Sequence, residues 1–204
     1  MKVVAVSQRV DVYPERNERR DALDQRLCQW LVAAGFLPVP VPNGLSTDSV
    51  DEAGRDGLQP WLSAVMPEAI ILSGGNDIGE AIDRDNTERR LLAYAQDRAL
   101  PVLGICRGMQ MMGVWAGGAL IPVQGHHRTR HVLCGELVGE VNSFHNYALA
   151  DCPAGFAVTA AADDGCIEAI RHESLAWEGW MWHPEREADF KPRDLQRLRV
   201  LFGN

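Results

Sequence analysis

Cys106 stands two residues from a glycine on either side, in Gly104-Ile105-Cys106-Arg107-Gly108. The apolar run Val102-Leu103-Gly104-Ile105 leads into it, and a helix-like stretch over 109–115 follows. This is the cysteine form of the G-x-nucleophile-x-G elbow, in which a strand turns sharply into a helix and projects a nucleophile. Such a turn strains the backbone and leaves no room for neighbouring Cβ atoms, so glycine is required beside it. A sulfur there also faces a helix N-terminus, whose dipole and free N–H groups favour a thiolate. The chemistry expected is acyl transfer through a thioester.

That chemistry needs a base, a group to orient the base, and donors for the oxyanion. Trp182-His183-Pro184-Glu185 follows a late apolar run. His183 is expected to take the thiol proton and later deliver it to the leaving amine. Proline restricts the backbone between His183 and Glu185, so the carboxylate is expected to reach back to one ring nitrogen and fix the tautomer. In an elbow the amide after the nucleophile, here Arg107, faces the site. A second amide is expected from Ser73-Gly74-Gly75, where paired glycines let the backbone approach a substrate; Gly75 is taken as the donor.

The elements that must position these residues alternate between strand and helix. Residues 2–7 and 69–72 read as buried parallel strands, and 37–41, with two prolines, as a strand near an edge. Residues 18–34 read as one helix with Leu23, Leu27, Trp30, Leu31 and Ala34 on a stripe and Gly35 as its stop. The polar stretch 43–57 reads as loop with a helical turn. Asp85 with Glu88 reads as a capping arrangement for a helix running to about Arg98. Gly117-Gly118 ends the helix that follows the elbow. This alternation predicts an α/β fold, a doubly wound, mostly parallel sheet flanked by helices. The runs 120–123, 136–141, 157–161, 166–171 and 178–182 read as an antiparallel strand extension in the second half. A last helix over 192–202 is expected to bury Leu195, Leu198 and Leu201 or Phe202. No repeat, low-complexity tract or linker interrupts residues 1–204, which predicts a single domain.

The chain has 204 residues, 46% hydrophobic and 24% charged, which suits a soluble globular protein. A net charge of −8 argues against nucleic-acid binding and against docking on an anionic membrane. Five cysteines at 28, 106, 134, 152 and 166, without C-x-x-C pairing, suit a reducing compartment better than a disulfide framework. No apolar stretch reaches membrane-spanning length. The expected location is the cytoplasm.

Ser73-Gly74-Gly75-Asn76-Asp77, the elbow from Leu103 to Gln110, Asn142-Ser143-Phe144-His145-Asn146 and Trp182-His183-Pro184-Glu185 together resemble the class I glutamine amidotransferase-like superfamily. They look most like its γ-glutamyl hydrolase branch, the peptidase C26-like proteins. The resemblance implies a Cys106–His183–Glu185 triad and a γ-glutamyl thioester cleaved by water. It also implies that Gly74, Gln110, Ser143, Phe144, His145 and Asn146 bind the glutamyl α-amino and α-carboxylate groups, with His145 as a binder and not the base. Within the branch, the Ser7-Gln8-Arg9 opening, residues 125–132 and Trp182 through Glu187 look most like γ-glutamyl-CDP-amidate hydrolases. Those enzymes act on a cytidine-diphosphate-linked amide.

His126-His127-Arg128-Thr129-Arg130-His131 is a basic cluster in an acidic chain. It reads as a solvated loop or as a metal-like histidine group short of ligands. Arg128 or Arg130 could contact a substrate phosphate, since guanidinium groups suit bidentate contacts. Met109, Met111 and Met112 are expected to pack behind the elbow, Trp61, Trp115, Trp177 and Trp180 to lie in the core or at an interface, and the other four cysteines to pack. No metal or organic cofactor is called for. The first reading is a free-standing hydrolase of a small γ-glutamyl amide. A glutaminase subunit delivering ammonia to a partner synthase, a γ-glutamyl-GABA-type hydrolase and a catalytically dead scaffold are the alternatives.

Overall fold

Apolar β-branched runs with no polar side to show water make the middle of the sheet. The computed structural model describes residues 1–46 and 57–203; most of the stretch expected to be loop over 43–57 lies outside them, apart from a 3-10 turn at Asn43–Ser46. In chain order the first half contains β1 (Lys2–Val6), β2 (Arg9–Tyr13), β3 (Glu18–Ala22), α1 (Gln25–Ala34), β4 (Phe36–Pro40), α2 (Leu58–Val65), β5 (Ala69–Leu72), α3 (Ile82–Arg98), β6 (Val102–Ile105) and α4 (Arg107–Trp115). The second half contains β7 (Leu120–Pro122), β8 (His127–Gly135), β9 (Gly139–Phe144), β10 (Tyr147–Leu149), β11 (Phe156–Ala161), β12 (Ile167–His172), β13 (Trp177–Trp180) and α5 (Pro192–Leu201).

Among the described residues one nine-stranded sheet runs β4-β1-β5-β6-β13-β12-β11-β8-β9. The first five strands are parallel neighbours and the rest pair antiparallel, so the expected mostly parallel sheet with an antiparallel extension is what forms. The proline-bearing strand β4 takes the edge, where missing donors cost nothing. One strand departs from expectation: β13 is not part of the antiparallel set alone. It pairs parallel with β6, Trp180 opposite Ile105, and antiparallel with β12. Alternation along β13 sends Trp177 and Trp180 to opposite faces. Trp177 meets Trp115 of α4 at 5.4 Å, and Trp180 meets Trp30 of α1 at 6.3 Å. Helices therefore cover this strand from both sides.

Two readings are corrected. Residues 18–34 are not one helix: Glu18–Ala22 pairs with Arg9–Tyr13 as a hairpin, and α1 starts only after Asp24, whose carboxylate accepts the Arg26 N–H at 2.9 Å. Asp85 and Glu88 do not cap α3. Both are buried on its inner face, where they meet the guanidinium groups of Arg84 and Arg107. Gly35 stops α1 in a left-handed conformation as expected, φ 96°. Leu198 and Phe202 are buried under α5, and Met109, Met111 and Met112 behind the elbow. Cys134 and Cys152 are exposed and do not pack.

Candidate active site

The carboxyl ends of three adjacent parallel strands place the key residues. β5 leads into Ser73-Gly74-Gly75, β6 into Cys106, and β13 ends three residues before His183. Ligands in such sheets lie outside the carboxyl ends of the strands. Cys106 has φ 51° and ψ −105°, a strained turn for a residue with a side chain, and its N–H donates to Trp180 O at 2.7 Å. Both flanking glycines are explained by contact. A Cβ on Gly108 would lie 2.1 Å from Leu72 O, and one on Gly104 would lie 2.6 Å from the Gly108 carbonyl carbon and the Met112 sulfur.

His183 is buried, and its Nδ1 lies 2.6 Å from Glu185 Oε1. Burial opposes a charge on the ring, but the Glu185 carboxylate and the Cys106 sulfur outweigh it and lift His183 to about 9. The imidazole therefore carries a proton at neutral pH. Phe144 stands edge-on to the ring at 5.8 Å. The backbone of His183 is clamped by Asn142, whose Nδ2 donates to His183 O at 2.8 Å and whose Oδ1 accepts the His183 N–H at 2.9 Å. Arg26 of α1 donates to the carbonyls of Glu185 and Glu187 and fixes the turn after β13. Neither Asn142 nor Arg26 has a role legible in the sequence. Only their partners, brought in from distant segments, reveal them.

A cavity of about 110 Å³ is lined by Gly75, Cys106, Arg107, Gln110, Phe144, His145, Asn146 and His183, together with Asp77 and Arg186. Burial and then Glu80 raise the Asp77 carboxyl. Gly74 packs beneath the imidazole, where a Cβ would come within 2.5 Å of His183 Cε1. Ser143 does not face the cavity: its hydroxyl donates to His126 O at 2.6 Å. Gln110 reaches the cavity from α4, its Nε2 donating to Tyr147 O at 2.8 Å.

Behind the floor lies a buried ionic group. Arg84 donates to the carbonyls of Ser73 at 2.6 Å and Gly74 at 3.0 Å. Arg107 pairs with Asp85 and Glu88 and donates to Asn76 O at 3.1 Å. Glu88 also takes the Ser7 hydroxyl at 2.7 Å and Arg84 at 3.0 Å. Burial pulls both guanidinium groups below their ordinary range.

The basic cluster is not a solvated loop. His126 is buried and 127–135 form β8. Arg130 is engaged by Glu140 at 3.0 Å and Glu187 at 3.1 Å, which leaves it poorly placed for a ligand. Arg128 sits at a bulge in β8 with φ 56° and is exposed. It lines a wider depression with Phe144 and Arg186, next to the cavity and sharing those two residues with it. Arg9 lines a second depression beside Gly74 and His183.

The class-I glutamine amidotransferase family profile matches residues 24–199. The chain belongs to this family. A γ-glutamyl-CDP-amidate hydrolase from Campylobacter jejuni is 33% identical over 67% of this chain and 70% of its own length. A glutamine-hydrolysing GMP synthase component from Methanothrix thermoacetophila is 34% identical over 59% of this chain and 68% of its own. A crystal structure of a glutamine amidotransferase from Thermotoga maritima superposes with a TM-score of 0.63 at 12% identity, covering 99% of this chain and 82% of that one, which shows the shared fold. Relatives of this family hydrolyse or transfer amides, and the present chain is an amidotransferase-type domain of that kind. No described helix is long and apolar enough to cross a membrane.

Proposed function

We propose that this chain is a cysteine hydrolase that cleaves the γ-glutamyl amide bond of a small conjugate and releases glutamate. The observation that carries the reading is Cys106 at a strained elbow, sharing a cavity with an imidazole already tied to Glu185. In the first step the sulfur attacks the γ-carbonyl carbon. His183 gives its proton to the nitrogen as the C–N bond breaks, leaving a γ-glutamyl thioester. Water then attacks the thioester, His183 takes its proton, and the sulfur departs. Glu185 holds the ring orientation through both steps.

The oxyanion falls to the amides of Gly75 and Arg107, which both line the cavity. A trans peptide points its C=O and N–H in opposite directions. Arg84 holds the Gly74 carbonyl, so the Gly75 N–H is aimed away from that guanidinium. The α-amino and α-carboxylate groups are assigned to Gln110 and the segment from Phe144 to Asn146, with Gly74 supporting the ring. Ser143 and His145 act through the backbone only, since both His145 ring nitrogens are taken by Tyr147 O and Glu168.

The leaving amine is assigned to the depression with Arg128 and Arg186, whose charge suits a phosphate-bearing group such as a cytidine-diphosphate amidate. The test is glutamate release from γ-glutamyl amides with and without a phosphate-bearing leaving group. Cys106→Ala should abolish release, and Arg128→Ala should raise KM for the phosphate-bearing substrate alone. Equal effects on both substrates refute the leaving-group assignment; release by Cys106→Ala refutes the nucleophile. The GMP synthase relatives favour a second reading, a glutaminase component supplying ammonia to a partner synthase. Under it, glutamine hydrolysis is weak alone and rises with the partner.

A further inference from the structure

Behind the wall of the cavity that His145 forms, four potential metal ligands converge where β8, the β9–β10 link and β12 meet. His126, His145, Cys166 and Glu168 each bring one donor atom, all within 4.8 Å of one another. Glu168 is fully buried, and its Oε1 lies 3.3 Å from both His126 Nδ1 and His145 Nε2. His131 Nε2 stands 3.3 Å from the same oxygen. Charge-assisted hydrogen bonds to a carboxylate are shorter, about 2.7–2.9 Å. His126 Nδ1, His131 Nε2 and Glu168 Oε2 have no hydrogen-bond partner, although all are buried.

The outer contacts decide what those ring atoms carry. His145 Nδ1 lies 3.0 Å from Tyr147 O, a pure acceptor, so that nitrogen holds the hydrogen. His126 Nε2 lies 2.8 Å from the Asp164 carboxylate, which likewise fixes its hydrogen there. In the neutral ring His126 Nδ1 is therefore a lone pair aimed at a buried carboxylate, while His145 Nε2 meets the same oxygen in a long hydrogen bond of 3.3 Å. A cation among these atoms would satisfy His126 Nδ1 and Glu168 Oε2, two buried atoms that no donor or acceptor meets. Asp164 also accepts the Cys166 N–H at 3.0 Å, so one carboxylate sets two of the four ligands. A carboxylate or carbonyl on the remote nitrogen is the usual support of a metal-bound histidine.

We propose that His126, His145, Cys166 and Glu168 bind one zinc ion, a site that no ligand spacing along the chain announces. Thiolate and imidazole together select zinc over the oxygen-seeking cations. In tetrahedral zinc sites with these ligands the donor atoms stand about 3.3–3.8 Å apart, so the histidines and Glu168 need little movement. One thiolate and one carboxylate cancel the two charges of the ion, which leaves a neutral buried unit. Its place is structural and concerns the substrate wall: His145 lies between Phe144 and Asn146, and Tyr147 O ties it to Gln110.

The ligands come from positions 126, 145, 166 and 168, so only the folded sheet assembles them. The test measures zinc per chain by mass spectrometry after chelator treatment, zinc addition and desalting. Wild type and Cys106→Ala should each retain one zinc, which excludes binding at the elbow sulfur. Cys166→Ser and His126→Gln should lose it, and Asp164→Ala should weaken affinity about 10–100-fold. Cobalt in place of zinc should give a sulfur-to-metal charge-transfer band that vanishes in Cys166→Ser, with far-UV circular dichroism showing that this variant folds. Failure of wild type to retain zinc overturns the proposal. So does equal retention by wild type and the folded Cys166→Ser. Neither readout depends on hydrolase activity.

Discussion

Gly74→Ala tests whether the imidazole is held where the chemistry needs it. The added Cβ would stand 2.5 Å from His183 Cε1, whereas ordinary contact begins near 3.4 Å. Relief requires a shift of about 1 Å, and a misplacement of that size in a catalytic group costs about 100-fold in rate. The ring cannot yield freely, because Asn142 holds its backbone, Glu185 its Nδ1 and Phe144 its edge. The backbone cost is small, since Gly74 is not in the left-handed region. Overpacking should lower stability by about 1–3 kcal/mol. Steady-state glutamate release should show kcat down about 100-fold with KM little changed. Gly44→Ala, where a Cβ would meet nothing within 4 Å, serves as the control. A folded Gly74→Ala enzyme with wild-type kcat refutes the reasoning.

Stability should fall with rising pH on account of His183. Its value in the fold, about 9, lies above the ordinary 6.5, so the stabilisation is complete below about pH 6.5 and is lost as pH rises through 9. Thermal melts from pH 6 to 10 should show this loss, and Glu185→Gln should flatten it; an unchanged slope counts against the ion pair. Arg107→Met strips the buried Asp85 of its guanidinium partner and leaves Glu88 only Arg84 and the Ser7 hydroxyl. It should cost about 3–5 kcal/mol in urea unfolding, against under 1 kcal/mol for Arg89→Met at an exposed position. Asn142→Ala removes two hydrogen bonds to the His183 backbone. The loss of about 1–2 kcal/mol of positioning should lower kcat about tenfold with KM held, and equal losses in both constants would argue against a positioning role.

The elbow was legible because its constraint is local: Gly104 and Gly108 are demanded by atoms within a few residues or on the adjoining strand. His183 and Glu185 were legible for the same reason, being two residues apart on one turn. The hairpin Arg9–Ala22 was not. Its second strand, Glu-Arg-Arg-Asp-Ala, is charged and mostly exposed, carries no alternation and prefers helix on propensity; pairing with β2 overrides that. Asp85 and Glu88 illustrate a different gap. Their spacing puts both on one side of a helix turn, but whether that side caps an end or faces a buried arginine is decided by Arg107, nineteen residues or more away in sequence. The histidines around β8 hide their setting because a bulge after His127 breaks the strand's alternation. The carboxylate they surround comes from β12.

Glu88 is shared by Ser7 at the end of β1, Arg84 of α3 and Arg107 of the elbow. The two stretches of backbone bracketing the sulfur are thereby anchored to one common post and cannot drift apart singly. Any remodelling of this pocket toward bulkier acyl groups would have to enlarge the opposite rim. There the Arg186 guanidinium lies over the Phe144 ring, 4.8 Å from its centre, a contact between two side chains with no backbone in it.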